Sequence, residues 1–225
     1  MRFLIIDSVD VARMFKLEFE QMYGGKFHGD KSRVKKYNSE KLRVYFSPAD
    51  NTIEKEIVPL INHAKSYVYV PAFVVTHYKF IQSLIAAKNR GVDVRVILDS
   101  TNTRYPSGKD RLRAAKVPVK TENYAGKLHS KSIVIDDRYL IVGSMNFSKS
   151  GEKYNDENVV ILEDEKLTKF YKSYFLYFWD KIPDKWLRLT ARAESADSIG
   201  SCSDGIDNDY DGDIDMDDSS CMPSR

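Results

Sequence analysis

Long apolar runs are missing from this 225-residue sequence. No window approaches the roughly eighteen consecutive apolar residues that a membrane-crossing helix takes. The opening residues are not expected to act as a secretory leader, because Asp7 and Asp10 interrupt a very short apolar run. Cysteine is almost absent: both cysteines lie beyond position 200, so no disulfide staples the body. Acidic residues are scarce through most of the chain. Residues 1–190 hold 33 Lys+Arg against 23 Asp+Glu, a net +10, whereas residues 191–225 hold 2 against 10, a net −8. The formal total of +2 hides this asymmetry. A body of that charge suits a polyanion or an anionic lipid surface. With 42% apolar residues a real core is affordable, and the length fits one domain plus an appendage.

What is present centres on Lys127 to Ser148, K-L-H-S-K-S-I-V-I-D-D-R-Y-L-I-V-G-S-M-N-F-S. His129 and Lys131 sit two apart, and a strand alternates side chains with period two, so both point to one face. Ile133 to Ile135 continue the strand into a core, Asp136-Asp137-Arg138 reads as a tight turn, and Tyr139 to Val142 as the returning strand. The return ends in Gly143-Ser144-Met145-Asn146, which brings a hydroxyl and an amide back near the imidazole. A nucleophile or proton donor, a fixed cation and two neutral hydrogen-bonding groups converge at one sheet edge. That equipment suits a phosphodiester: histidine attacks phosphorus or donates a proton, and Lys131 supplies positive charge without a metal.

The pattern H-x-K-x4-D followed by G-S-x-N resembles the signature of the phospholipase D superfamily. His129, Lys131 and Asp136 match its first part, and Gly143, Ser144 and Asn146 its second. Composition alone yields H-x-K-x4-D in on the order of one chain in a hundred, so the added G-S-x-N carries the specificity. The resemblance implies an α/β layered domain, a mixed central sheet flanked by helices. It implies catalysis through a phosphohistidine on nucleic acid or phospholipid, with no cofactor. It also places Glu157 where the family has an acidic residue that orients a catalytic histidine. Asp136 matches the motif's aspartate and is read as structural, at the hairpin turn. The family mechanism takes two histidines, so a second His-Lys-Asp lobe is implied, from a homodimer or from a missing N-terminal half.

The rest of the chain fits that frame. Arg2 to Asp7 reads as a strand and Val9 to Tyr23 as an amphipathic helix with Val11, Met14, Phe15, Phe19 and Met22 inward. Asn158 to Asp164 and Leu167 to Trp179 repeat that strand and helix without gaps at an offset of 156. Residues 1–29 therefore resemble the tail of a preceding lobe, joined by a Gly- and Lys-rich linker, 30–40, to a catalytic lobe at 41–187. Within that lobe strands read at Leu42–Phe46, Tyr67–Val75, Val92–Asp99 and Val117–Lys120, with helices at Ile53–Ala64, His77–Arg90 and Asp110–Lys116. His63 and His77 read as structural or surface residues, and the aromatics from Tyr171 to Trp179 as helix packing. Arg104, Lys109, Arg111, Arg113 and Lys116 read equally as a solvated face or a contact for a phosphate backbone.

Residues 188–201 read as a small-residue linker to a separate acidic tail, 202–221. Counting Asp207 as position 1, Asp209, Asp211, Asp213, Asp215 and Asp218 fall at positions 3, 5, 7, 9 and 12, with Gly212 at 6. This is calcium-loop spacing with Asp in place of the usual final Glu, and Ca²⁺ is the expected ligand. Ile206 and Ile214 are expected to pack inside the closed loop. The tail resembles the Cys-framed D-G-I-D-N-D-x-D-G repeats of secreted proteins. Cys202 and Cys221 bracket it, so a disulfide and an extracellular or cell-surface location are expected. The tail is expected to contribute nothing to the site around His129. Two functional readings stand: a metal-independent phosphodiester hydrolase, leaning to nucleic acid, and a non-catalytic phosphate-binding lobe tethered outside the cell.

Overall fold

The computed structural model describes residues 4–102 and 108–222. Seven strands form one open sheet: β1 (Leu42–Ser47), β2 (Tyr67–Ala72), β3 (Asp93–Asp99), β4 (Val119–Glu122), β5 (Ser132–Ile135), β6 (Tyr139–Gly143) and β7 (Glu157–Glu163). Their order is β1-β7-β6-β5-β2-β3-β4. The β2-β3 and β3-β4 pairs are parallel and the other four antiparallel, so the sheet is mixed.

Period-two alternation divides the strands between two cores. Val68, Val70, Ile133, Ile135, Val159 and Ile161 face one side, against α2 (Val58–His63), the π-turn 53–57 that precedes it, and α3 (Tyr78–Asn89). Tyr67, Tyr69, Val134, Leu140, Val160 and Leu162 face the other, against α1 (Val9–Tyr23) and α6 (Glu165–Lys181). The short helices α4 (Gly108–Ala114) and α5 (Lys149–Lys153) complete the set. This is the expected α/β layering. Tyr69, Phe175 and Trp179 stack in succession between sheet and α6, so those two aromatics of the helix serve packing, whereas Tyr177 faces outward.

Four sequence expectations need correction. Leu4 to Asp7 forms no strand, because no neighbour offers it a ladder; Ile5 is 91% exposed. Arg2 and Phe3 lie outside the described residues. The repeated helices α1 and α6 do not bury equivalent positions. Met14 is buried where its counterpart Phe170 is exposed, and Phe19 and Tyr23 are exposed where Phe175 and Trp179 are buried. The 30–40 segment is no free linker: Lys31 and Val34 are buried, and Lys31 pairs with Glu18 of α1 and with Asp156 at 2.7 Å. Likewise 188–201 packs down, with Ala191, Ala193, Glu194 and Ser201 buried. In both segments a charge that looks solvated in sequence finds distant partners.

Candidate active site

Six chain segments meet at the carboxyl ends of the parallel strands: the ends of β2, β3, β4 and β6 and the starts of β5 and β7. In open α/β sheets ligands bind at this edge. His129 lies on the loop entering β5 rather than in the strand itself. The Leu128 N–H donates to Asp99 Oδ2 at 2.7 Å, and His129 N–H to the Lys127 carbonyl at 2.8 Å. The Phe73 N–H donates to the Ser130 carbonyl, and Lys131 bridges Ala72. The loop is thereby held at both ends. The exposed imidazole sits edge-to-face on Phe73, centroids 4.7 Å apart.

Lys131 is only 9% exposed. Its ammonium donates to the His129 carbonyl at 3.2 Å and lies 5.0 Å from the Phe73 ring centre. Among the described residues it has no carboxylate partner. Burial pushes its pKa down, against the opposing charges of Glu157 and Asp99. Burial also lowers the His129 pKa, with the Lys131 charge adding to the effect. The imidazole is thus kept neutral, as a nucleophile needs.

The G-S-x-N residues arrive for steric reasons as much as chemical ones. A Cβ on Gly143 would lie 2.1 Å from the Asn158 carbonyl oxygen, so only glycine permits β6 this approach to β7. Ser144 Oγ accepts from Asn158 N at 3.0 Å and from its Nδ2 at 3.3 Å, leaving the hydroxyl proton free to donate. Met145 anchors the turn in the core. Asn146 Oδ1 is buried with no hydrogen-bond partner. Glu157, at the start of β7, accepts from Asn155 Nδ2 at 3.3 Å. Its carboxylate acts on His129 and Lys131 through charge, with no hydrogen bond to His129 among the described residues.

Asp136 is not brought to this site. It ends β5 at a positive φ of 54°, about 16 Å from Lys131 by strand rise. Its carboxylate accepts the N–H groups of Lys65, Ser66 and Tyr67, capping the entry to β2. Of the basic cluster, Lys109 bonds Thr190 and Arg113 bonds the carbonyls of Val119 and Trp186, so these two serve packing. Arg104 lies outside the described residues. His63 is exposed, its ring 2.7 Å from the Pro59 carbonyl oxygen. His77 caps α3 and bonds Glu152 at 2.9 Å. Glu54 joins them, so His77 has two acidic neighbours that its sequence surroundings did not reveal.

Sequence reasoning missed Phe73, Asp99 and Asn158. Asp99 had a usable signal, a carboxylate ending an apolar strand at the edge where sites form. Next to it in the β3-β4 register is Glu122, whose pKa burial pushes up to about 7, with the Asp99 charge adding.

The tail keeps its expected disulfide but otherwise differs from expectation. Cys202 and Cys221 are joined in a disulfide, Cα atoms 5.7 Å apart. Ile206 and Ile214 point outward, being too few to form a core. Asp213 is exposed, and Asp215 is used within the loop, accepting from the N–H groups of Asp204 and Gly205. The tail does not stand apart: the Lys127 ammonium, two residues from His129, lies 3.7 Å from the centre of the Tyr210 ring.

With this geometry in view, comparison with known proteins is specific. Residues 57–179 match the family model described as cardiolipin synthase, PLD-like domain. A phospholipase D of Rickettsia felis is 37% identical over 146 residues, covering 62% of this chain and 72% of that protein. A mitochondrial cardiolipin hydrolase of Chlamydomonas reinhardtii is 32% identical over 109 residues, covering 48% and 49%. The crystal structure of Nuc, a phospholipase D family member from Salmonella typhimurium, superposes with a TM-score of 0.58 at 27% identity. It covers 63% of this chain and 95% of that one.

Proposed function

Because the chain belongs to the phospholipase D-like family of phosphodiesterases, we propose that it hydrolyses phosphodiesters through a phosphohistidine formed on His129. The observation that carries this reading is Lys131, a nearly buried ammonium without a carboxylate partner beside a histidine kept neutral. A buried charge left unpaired is costly, and a phosphate oxygen would supply what it lacks.

In the first step the His129 imidazole attacks phosphorus and the P–O bond to the leaving group breaks. The leaving oxygen takes a proton from a second histidine. In the second step water attacks the phosphohistidine, returns a proton to that second ring, and the P–N bond breaks. Lys131, the Ser144 hydroxyl and the Asn146 amide take the non-bridging oxygens, a role in which no divalent ion is required. The second histidine comes from a second copy of this chain, so activity requires a dimer. Glu157 biases the imidazole through its charge.

Nucleic acid is the substrate we favour, on the net +10 of residues 1–190. Phospholipid is the second reading, favoured by the relatives named phospholipase D and cardiolipin hydrolase. The Cys202–Cys221 disulfide supports an oxidising, extracellular or cell-surface location. The test is hydrolysis of bis(p-nitrophenyl) phosphate, single-stranded DNA and phosphatidylglycerol vesicles by the wild type and His129→Ala, with light scattering for oligomeric state. We expect a dimer that cleaves the small diester and DNA, and loss of both in the variant. An active monomer would remove the two-copy mechanism, and full activity in His129→Ala would remove the nucleophile.

A further inference from the structure

Residues 188–222 are fastened to the segment that carries His129. Ala191 N–H donates to Thr121 Oγ1 at 3.1 Å, and Asn123 Nδ2 to the Asp197 carbonyl at 3.1 Å. Ile199 runs beside Tyr124 as a short parallel bridge, with Ala125 N–H on the Ile199 carbonyl at 2.7 Å. Tyr210, held at a positive φ of 61°, lays its ring on Lys127. The segment 121–127, leading directly to the catalytic histidine, therefore has the acidic tail as one wall.

Inside that wall lies a cluster of carboxylates drawn from two stretches of chain. Glu194 is fully buried, its two oxygens accepting from Asp215 N and Asn208 N at 2.6 Å each. Its carboxylate comes within 4.8 Å of those of Asp207 and Asp209, and Asp209 is equally close to Asp211 and Asp218. Asp218 is 1% exposed, and its Oδ2 has no hydrogen-bond partner. A cleft of about 500 Å³ opens between this cluster and the end of β3, lined by Asp209, Asp211, Arg192 and Ser100 among others. Among the described residues, Arg192 lines the cleft and Lys109 lies close by, engaged with Thr190 and with Asp110 at 3.6 Å. Carboxylates gathered this closely repel one another, and a buried carboxylate oxygen with no partner is expensive. Hard oxygen ligands from two stretches of chain, one of them solvent-facing, match Ca²⁺ rather than a soft metal.

We propose that Glu194, Asp209, Asp211 and Asp218 form one calcium site bridging the 188–201 segment and the terminal loop, and that its filling controls how polyanions reach His129. Of the six aspartates that the loop spacing named, this set keeps Asp209, Asp211 and Asp218, leaves out Asp207, Asp213 and Asp215, and adds Glu194 from outside the loop; Asp213 and Asp215 belong to none of the close carboxylate groups. The coupling is electrostatic and mechanical. An empty tail sets a net charge of −8 beside a site for anionic substrate, and one Ca²⁺ lowers it to −6. The Lys127–Tyr210 contact brings the acidic loop against a residue two positions from His129, so its charge acts on a docked phosphate chain and is screened by salt. The ion also ties Glu194 to Asp218, tightening the wall on which residues 121–127 rest.

The coupling half of this inference rests on the hydrolase reading, and the binding half does not. The experiment uses the full chain with its disulfide intact. Calorimetry with CaCl₂ should show one ion bound with Kd on the order of 10⁻⁴ M, lost in Asp218→Asn and in the exposed-site variant Asp211→Asn. Hydrogen exchange at residues 121–131 should slow when CaCl₂ is added. The KM for an oligonucleotide should fall about threefold from EDTA to CaCl₂, while wild-type hydrolysis of bis(p-nitrophenyl) phosphate stays the same in both. No calcium uptake, or uptake kept by both variants, would overturn the site. Uptake with unchanged exchange and unchanged KM would overturn the coupling. If no diester is hydrolysed under any condition, the exchange measurement decides the coupling alone, and that failure belongs to the hydrolase reading.

Discussion

Lys131 at the sheet edge and Asp218 in the terminal loop share one predicament with opposite sign. Each is nearly excluded from water, and each has a charge-bearing atom without an ionic partner. Several other buried charges are matched by ion pairs. Lys31 lies between Glu18 and Asp156, Asp50 between Arg33 and Lys36, and Lys120 meets Asp184 at 2.7 Å. Glu122 shows a third solution: beside Asp99 and without a cation, it holds a proton up to about pH 7. Pairing, protonation and ligand binding are the alternatives open to a buried charge. Lys131 and Asp218 are the places where the account puts a ligand, an anion at the one and a cation at the other.

Substitutions that remove each charge without removing its bulk sharpen this contrast. Lys131→Met is expected to lower kcat/KM about 10³-fold, with a melting temperature equal to or above wild type, because no charged partner is orphaned and only the bond to the His129 carbonyl is lost. Lys31→Met should do the opposite. It leaves buried Glu18 unpaired and Asp156 with His28 alone, and costs on the order of 3 kcal/mol of stability in a denaturant titration. Equal effects of the two lysines on stability would break the comparison.

Glu122→Gln tests the proton solution. The folded pKa of about 7 lies above the ordinary carboxylate value. Stability from the neutral form is therefore fully present below about pH 4.5 and is lost as pH rises through 7. The variant should gain on the order of 2 kcal/mol over wild type at pH 8 and little at pH 4.5. A pH-independent difference would contradict it. Smallest is Asp218→Asn, which should raise stability by about 1 kcal/mol in EDTA and lose that advantage when CaCl₂ is added.

The candidate site at the sheet edge was legible because its determinants are local. His129, Lys131, Gly143, Ser144 and Asn146 fall within eighteen consecutive residues, and a hairpin folds such a stretch onto itself by period and turn alone. The bounds of α1 and the strand–helix alternation were legible for the same reason. What escaped depends on contacts between distant segments. The Lys31–Asp156 pair joins positions 125 apart, so 30–40 passed for a linker. Leu4 to Asp7 has a strand's composition but no neighbour to pair with. Spacing within the terminal loop named six aspartates, yet Asp215 turns to staple its own loop and Glu194 enters from upstream. Spacing expresses which groups are near in sequence, and the fold decides which of them are spent on hydrogen bonds.

The central claim is that this chain carries out diester hydrolysis on histidine, with Lys131 in the place of a metal. In a dimer of identical chains both catalytic imidazoles are His129, so a covalent intermediate has only one residue on which to form. The direct measurement is an alkaline quench of the wild-type enzyme turning over a ³²P-labelled oligonucleotide in EDTA, followed by peptide mapping. The account predicts acid-labile phosphate on the peptide containing His129, absent from His129→Ala. Turnover that stops in EDTA with the fold intact and returns with a divalent ion, leaving no label on that peptide, would contradict it.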